Sequence, residues 1–339
     1  MDEKLLLEIF HIPAMSKQED DMARFIMAKL TELNVPFFLE EKSGTIYNLS
    51  NKNRPLLAAH TDTVQKNLDA LLTKYIKIKN GVLSGYGVIG GDDKCGIFII
   101  LELLKKYPDL NFAFFPSEEI GCVGSREFVK HVTDFSNVPY GLVLDRRSAT
   151  DIICDKNSYG TKKFDETLET IGKDFGYKSV LGAVSDANTL REFISCANIG
   201  VAYNNPHTTK EYVIIEELQK AMDFVEAIIT SVKEKFDKPV VAYVYKGGYN
   251  DYGYDDYGVK KGKRKNYGYW SKCDICKLSS NSTKNYIKSL KMYLCDSCTI
   301  KVFEELCEID TSKVTDIDEP QLPLLPAVDE YGGGWHGDY

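Results

Sequence analysis

The chain has 339 residues, more than one average domain, and its 43% hydrophobic content is enough to bury a substantial core. A formal net charge of -8 argues against nucleic acid as the main ligand, and the lack of any apolar run of about 18 residues argues against a membrane protein. The N-terminus MDEKLLLEIFHIP has no basic n-region or long apolar core, and five of the nine cysteines (Cys95, Cys122, Cys154, Cys196, Cys307) are scattered singly, which suits a reducing compartment and a soluble, cytoplasmic protein.

Helices are predicted over Leu5 to Phe10 and from roughly Glu19 to Leu33. Short apolar runs ending in polar residues follow: LLAAH at 56–60, FAFFPSEE at 112–119 and GLVLD at 141–145. Between the first two, Ile97, Ile100, Leu101 and Leu104 fall at i, i+3, i+4 and i+7 in a segment ended by Pro108, so a buried helix joins two strands. NIGVAY reads as another strand. A last helix is expected from about Glu216 to Lys235, with Leu218, Ala221, Met222, Val225 and Ile228 on one face. Alternation of this kind predicts an α/β domain over residues 1–238, with a mainly parallel sheet covered on both faces.

The pattern breaks after that. Residues 239–270 are rich in Tyr and Gly without any period and read as a linker. Residues 271–307 carry the remaining four cysteines, and 308–339 form an acidic, Pro- and Gly-containing tail of disordered composition. Residues 241–300 hold 11 Lys/Arg against 5 Asp/Glu, so the overall acidity conceals a basic segment.

Ligands of open α/β sheets collect at the carboxyl ends of the strands. Those ends here carry His60 and Asp62, Glu118 and Glu119, and Asp145; the loop GGDD adds Asp92 and Asp93, and YNNPHTTKEY adds His207. Each has an ordinary explanation taken alone: a satisfied strand-end His, an Asp capping a helix, a solvated Glu pair. Their convergence on one sheet edge points instead to metal. Two imidazoles shared among three or more carboxylates suit two zinc ions bridged by one carboxylate, a role open by chemistry to Asp92 or Asp93.

HTDTV, GxDDKxG, SEEIG, LD and NPHTxxEY, in this order and spacing, resemble the catalytic domain of the peptidase T and aminoacylase family of co-catalytic zinc peptidases. The likeness covers residues 1 to about 235. It is strongest to the peptidase T-like tripeptidases, with some similarity to the glutamyl aminopeptidases. SDANTL at 185–190 also resembles a segment of that group, with no role assigned. The resemblance implies that Asp92 bridges two catalytic Zn2+ (or Co2+ or Mn2+), with a cis peptide between Asp92 and Asp93. His60 and Asp145 complete one site, Glu119 and His207 the other. Asp62 orients His60 by accepting the ring's other N–H. Glu118 is the general base, taking a proton from metal-bound water and passing it to the leaving amine. Asp93 then becomes the helix N-terminal residue. Family members usually insert a lid and dimerisation domain where only 61 residues separate Asp145 from His207, so the lid is expected to be missing. Arg146, Arg147 or Tyr203 is then the candidate oxyanion or substrate donor.

Cys273-x2-Cys276, eighteen residues, then Cys295-x2-Cys298 predicts a closed, structural Zn2+ site of the zinc-ribbon type. Lys277, Lys284, Lys288 and Lys291, with KKGKRK and Trp270 upstream, make its partner a protein or a nucleic acid. The leading function is amide hydrolysis in short peptides. The runner-up is deacylation of N-acyl amino acids, and an inactive hydrolase scaffold with a binding module is the reading from another class.

Overall fold

The computed structural model describes residues 1–240 and two later strands. Helices α1 (Glu3–Phe10) and α2 (Asp20–Glu32) precede β1 (Phe38–Glu40), β2 (Thr45–Asn48), β3 (Leu56–His60), α3 (Asn67–Leu72), β4 (Lys77–Lys79) and β5 (Val82–Ser84). Then come α4 (Gly91–Lys106), β6 (Asn111–Phe115), α5 (Val123–His131), β7 (Gly141–Arg146), β8 (Asp151–Ile153), α6 (Lys162–Gly172) and β9 (Lys178–Ser179). α7 (Ala187–Leu190), β10 (Cys196–Gly200), β11 (Tyr203–Asn204), β12 (Tyr212–Ile214) and α8 (Ile215–Ser231) complete the first unit. The chain divides into two units, Met1–Ala242 and Tyr243–Tyr339. Of the second, the described part is an antiparallel pair, β13 (Asn285–Ile287) and β14 (Met292–Leu294), with Tyr286 opposite Tyr293. The four cysteines of the predicted zinc ribbon, the linker from 241 onward and the acidic tail lie outside the described residues.

The main sheet runs β1-β2-β6-β3-β7-β10-β8-β9. Its centre, β6, β3, β7 and β10, is parallel, and antiparallel strands flank it. Alternation along the central strands explains why helices cover both faces. Leu57 and Ala59, Phe112 and Phe114, and Leu142 and Leu144 join the core under α1, α2, α4, α6 and α8. Leu56 and Ala58, Ala113 and Phe115, and Val143 join the core under α5 and α7. β11-β12-β5-β4 form a second, antiparallel sheet. This is the mixed, mostly parallel α/β architecture that the sequence predicts.

Local chemistry sets the element ends. Asp2 Oδ1 accepts from Leu5 N at 3.0 Å to cap α1, and Thr161 Oγ1 accepts from Phe164 N at 3.3 Å to cap α6. Two expectations need correction. The last helix stops at Ser231 instead of Lys235, because Val232 turns extended and Phe236 returns to the core, its N–H bonded to Pro139 O at 3.1 Å and its ring 4.8 Å from that of Phe164. NIGVAY is not one strand: Ala202, at φ +74°, breaks it, so β10 belongs to the main sheet and β11 to the small one.

The segment between Asp145 and His207 supplies β8, β9 and β10 to the main sheet and α6 and α7 to its two faces, with no inserted domain. No helix among the described residues is long and apolar enough to cross a membrane, and Cys95, Cys122, Cys154 and Cys196 are buried and unpaired.

Candidate metal centre

Parallel register aligns the carboxyl ends of three strands. β3 ends at His60, which lies beside Phe115 at the end of β6, and Asp145 sits one residue from the end of β7. Glu118 and Glu119 follow β6 on a tight turn in which Ser117 has φ +59° and the N–H groups of Gly121 and Cys122 both bond to Glu118 O. Asp92 and Asp93 open α4 with non-helical dihedrals, joined by a cis peptide bond. Asp93 caps the regular helix, its Oδ1 accepting from Gly96 N at 3.0 Å and its Oδ2 from His60 N at 3.2 Å. The glycine of GxDDKxG at position 96 is required by packing: an added Cβ would lie 2.3 Å from Leu144 O, so only Gly lets α4 approach β7 this closely.

The potential ligands form two groups that share Asp92. In the first, His60 Nε2 lies 3.0 Å from Asp92 Oδ1 and 3.6 Å from Asp145 Oδ1. In the second, His207 Nε2 lies 3.2 Å from Asp92 Oδ2 and 3.0 Å from Glu119 Oε1. In each group the donor atoms fall within 4.8 Å of one another. His207 comes from the exposed loop after β11 and has φ +63°.

The Nδ1 of His60 lies 2.9 Å from the main-chain oxygen of Asp62 and 3.4 Å from its Oδ1. A carbonyl only accepts, so Nδ1 carries a proton, and Nε2 is the nitrogen left to meet Asp92, Asp145 or a cation held between them. Asp62 thus holds the ring through its carbonyl, with its carboxylate a little farther off on the same side. The carboxylate also reaches the Glu118 loop, accepting from Glu118 N at 2.8 Å, Glu119 N at 3.3 Å and Ser16 Oγ at 2.6 Å.

Electrostatics test whether a cation fits. Burial, followed by neighbouring acids, pushes Glu118 up to about 8 and Asp145 up to about 7. Glu119 Oε1 is buried and accepts no hydrogen bond although an imidazole nitrogen stands 3.0 Å away. A buried acid with a raised pKa in the first group and an orphaned carboxylate oxygen in the second are what a bound divalent ion at each would relieve, and the nitrogen and oxygen donors suit zinc. The residues present therefore fit a pair of metal ions.

The three candidate donors are placed differently. Arg146 pairs with Asp151 at 3.1 Å, and Tyr203 OH donates to Asp145 Oδ1 at 3.2 Å. Arg147 is exposed, and its side chain has no partner among the described residues. Sequence reasoning missed two further groups. Glu211, buried, accepts from Gly90 N at 2.8 Å and Asp92 N at 3.2 Å and so fixes the GGDD loop; in the sequence it is the Glu of NPHTxxEY, to which no role was given. Lys94 is fully buried, its Nζ donating to Phe10 O at 3.2 Å and Ile89 O at 3.4 Å. Asp186 of SDANTL is also buried, and burial, then the charge of Glu118, pushes its carboxyl up to about 7.

A parallel sheet that gathers imidazoles and carboxylates at its carboxyl edge is the build of a metal-dependent hydrolase. The model of Peptidase family M20/M25/M40 matches residues 56–231, just over half of the chain, and the chain belongs to that family of metallopeptidases. Similar solved structures include aminopeptidase PepT from Bacillus cereus, 17% identical with a TM-score of 0.55 and covering 67% of this chain and 96% of its own. A tripeptidase from Staphylococcus aureus is 14% identical, with a TM-score of 0.54 and coverage of 67% and 96%. The TET1 peptidase of Pyrococcus horikoshii is 14% identical, with a TM-score of 0.54 and coverage of 68% and 100%. These likenesses establish a shared fold. No curated protein matches the chain by sequence.

Proposed function

We propose that this chain is a two-metal peptidase that cleaves the amide bonds of short peptides. The carrying observation is the fork at Asp92, whose Oδ1 turns toward His60 and Asp145 while Oδ2 turns toward His207 and Glu119. Zinc fits this donor set, with cobalt or manganese as substitutes. Bound there, two such ions would polarise the scissile carbonyl and lower the pKa of the attacking water.

Glu118 belongs to neither group of ligands. Its place is fixed through the main chain by Asp62, and Cys122 Sγ donates to its Oε1 at 3.4 Å. An unligated carboxylate held beside the metals can take a proton from the attacking water and return it to the leaving amine. Arg147 serves as the oxyanion or substrate-carboxylate donor, since Arg146 and Tyr203 are engaged elsewhere. The aminopeptidase and tripeptidase activities named for the similar structures support short peptides as substrates. The metal set does not select the leaving group, so N-acyl amino acids are the alternative substrates. Cys273, Cys276, Cys295 and Cys298 are proposed to hold one structural zinc.

Glu118→Gln and Glu119→Gln, measured for turnover and bound metal together, test the reading. Glu118→Gln should lose about 100-fold or more in turnover while keeping both ions. Glu119→Gln should lose metal, with activity partly restored by added zinc. Loss of metal in the first with retention in the second reverses the two roles, and full activity in both sinks the hydrolase reading. A panel of tripeptides and acyl-amino acids, with and without chelator, decides the substrate class.

A further inference from the structure

The segment from Phe10 to Glu19 precedes the residues that the family model matches, yet it touches three of the five segments that carry the candidate ligands. Ala14 O accepts from Thr63 N at 2.6 Å, and Ala14 N donates to Gln65 Oε1 at 3.3 Å, so the segment is stitched to the loop after His60. Phe10 O accepts from Lys94 Nζ, two residues past Asp92. A turn closed by Gln18 N on Met15 O at 2.8 Å, with Lys17 at φ +66°, then presents one side chain to Asp62 and another to the Glu118 loop. Ser16 Oγ donates to Asp62 Oδ2 at 2.6 Å, and Glu19 Oε1 accepts from Ser117 Oγ at 3.0 Å.

Asp62 is the hub of this arrangement. Its Oδ2 takes both the Ser16 hydroxyl and the Glu119 amide, and its Oδ1 takes the Glu118 amide. A buried carboxylate bonded to two backbone amides alone is free to rock about its Cβ. A third, short bond from a side chain on a separate segment fixes the plane of the carboxyl group, and with it the direction of the two amides. Ser117 is gripped from the same turn through Glu19, so three consecutive residues, 117 to 119, are held by one strap.

We infer that Ser16 is a positioning residue for the hydrolytic centre, acting through Asp62 to fix Glu118 and Glu119. The inference rests on the peptidase reading for its kinetic consequence but not for its structural one. Glu118 is aligned for proton transfer, so loss of the Ser16 hydroxyl falls on turnover more than on substrate binding. Glu119 shares the same anchor, so metal affinity falls as well. Thr in place of Ser retains the hydroxyl and adds one methyl group at a half-buried position.

The test uses the full chain, Ser16→Ala and Ser16→Thr, with tripeptide hydrolysis, isothermal titration of zinc alone and thermal unfolding. Ser16→Ala should lower kcat by about 10-fold or more with KM within about 2-fold, and weaken zinc binding by about 10-fold, the lower end for partners behind the ligands. Its unfolding temperature should stay close to wild type, and Ser16→Thr should restore both kcat and zinc affinity. Unchanged kcat and zinc affinity in Ser16→Ala, or equal losses in Ser16→Thr, would overturn the assignment. An inactive wild type whose zinc affinity still falls on Ser16→Ala would remove the peptidase reading and leave the role of Ser16 standing.

Discussion

Lys94→Met probes the most buried charge near the centre. Lys94 has no exposed surface, its amine reaches only two carbonyl oxygens, and burial holds its pKa down at about 7 against an ordinary 10.5. Between those two values the unfolded chain binds more protons than the folded one, so stability rises with pH across the window at up to about 1.4 kcal/mol per unit. The contribution is full above the unfolded value and is lost as pH falls toward 7. From pH 6 to pH 10 the gain amounts to about 4 kcal/mol for this one group. Methionine keeps the apolar stem and abolishes the titration. Urea unfolding of both proteins, followed by circular dichroism in chelator, should therefore give a stability difference that swings by about 4 kcal/mol toward wild type over that range. Met should do comparatively best at pH 6, where the wild type buries an ammonium. At pH 10 it should do worst, because two buried carbonyls lose a neutral donor that serves both. A difference that stays flat from pH 6 to pH 10 would refute the argument, since Lys94 would then keep its ordinary pKa when folded.

Glu211→Gln should destabilise the catalytic unit by about 1–3 kcal/mol and weaken metal binding by about 10-fold or more, because one of its two backbone N–H partners then meets an amide donor instead of an acceptor. Chemical denaturation and zinc titration check the two effects separately. Cys295→Ser should remove one zinc equivalent, read by metal analysis, while peptide hydrolysis stays within about 2-fold of wild type, as expected if that zinc is structural and apart from the catalytic unit.

The legible part of the fold was the part with long-range period. LLAAH, FAFF and GLVL are apolar on both faces, as central parallel strands must be, and each ends where the chain turns polar. The small sheet left no such trace, because strands of two or three residues such as Tyr203–Asn204 and Val82–Ser84 are too short to show alternation. α8 could be read, but its end could not: Phe236 fits a helical stripe as well as the extended return that buries it against Phe164. At the site, side chains that could face a metal were visible as residue types at strand ends. Groups that bind backbone were not. Glu211 acts on backbone N–H groups and Ser16 on a carboxylate, and nothing in a residue's identity says which partner it will meet.

The two ligand groups differ in how deeply they sit. His60 is 1% exposed and Asp145 9%, whereas His207 is 49% exposed on the loop that joins β11 to β12. A movement of that one loop would take a donor from the second group, while the first keeps both its own donors on the main sheet. The second group is therefore the one whose hold on a cation depends on a single exposed side chain.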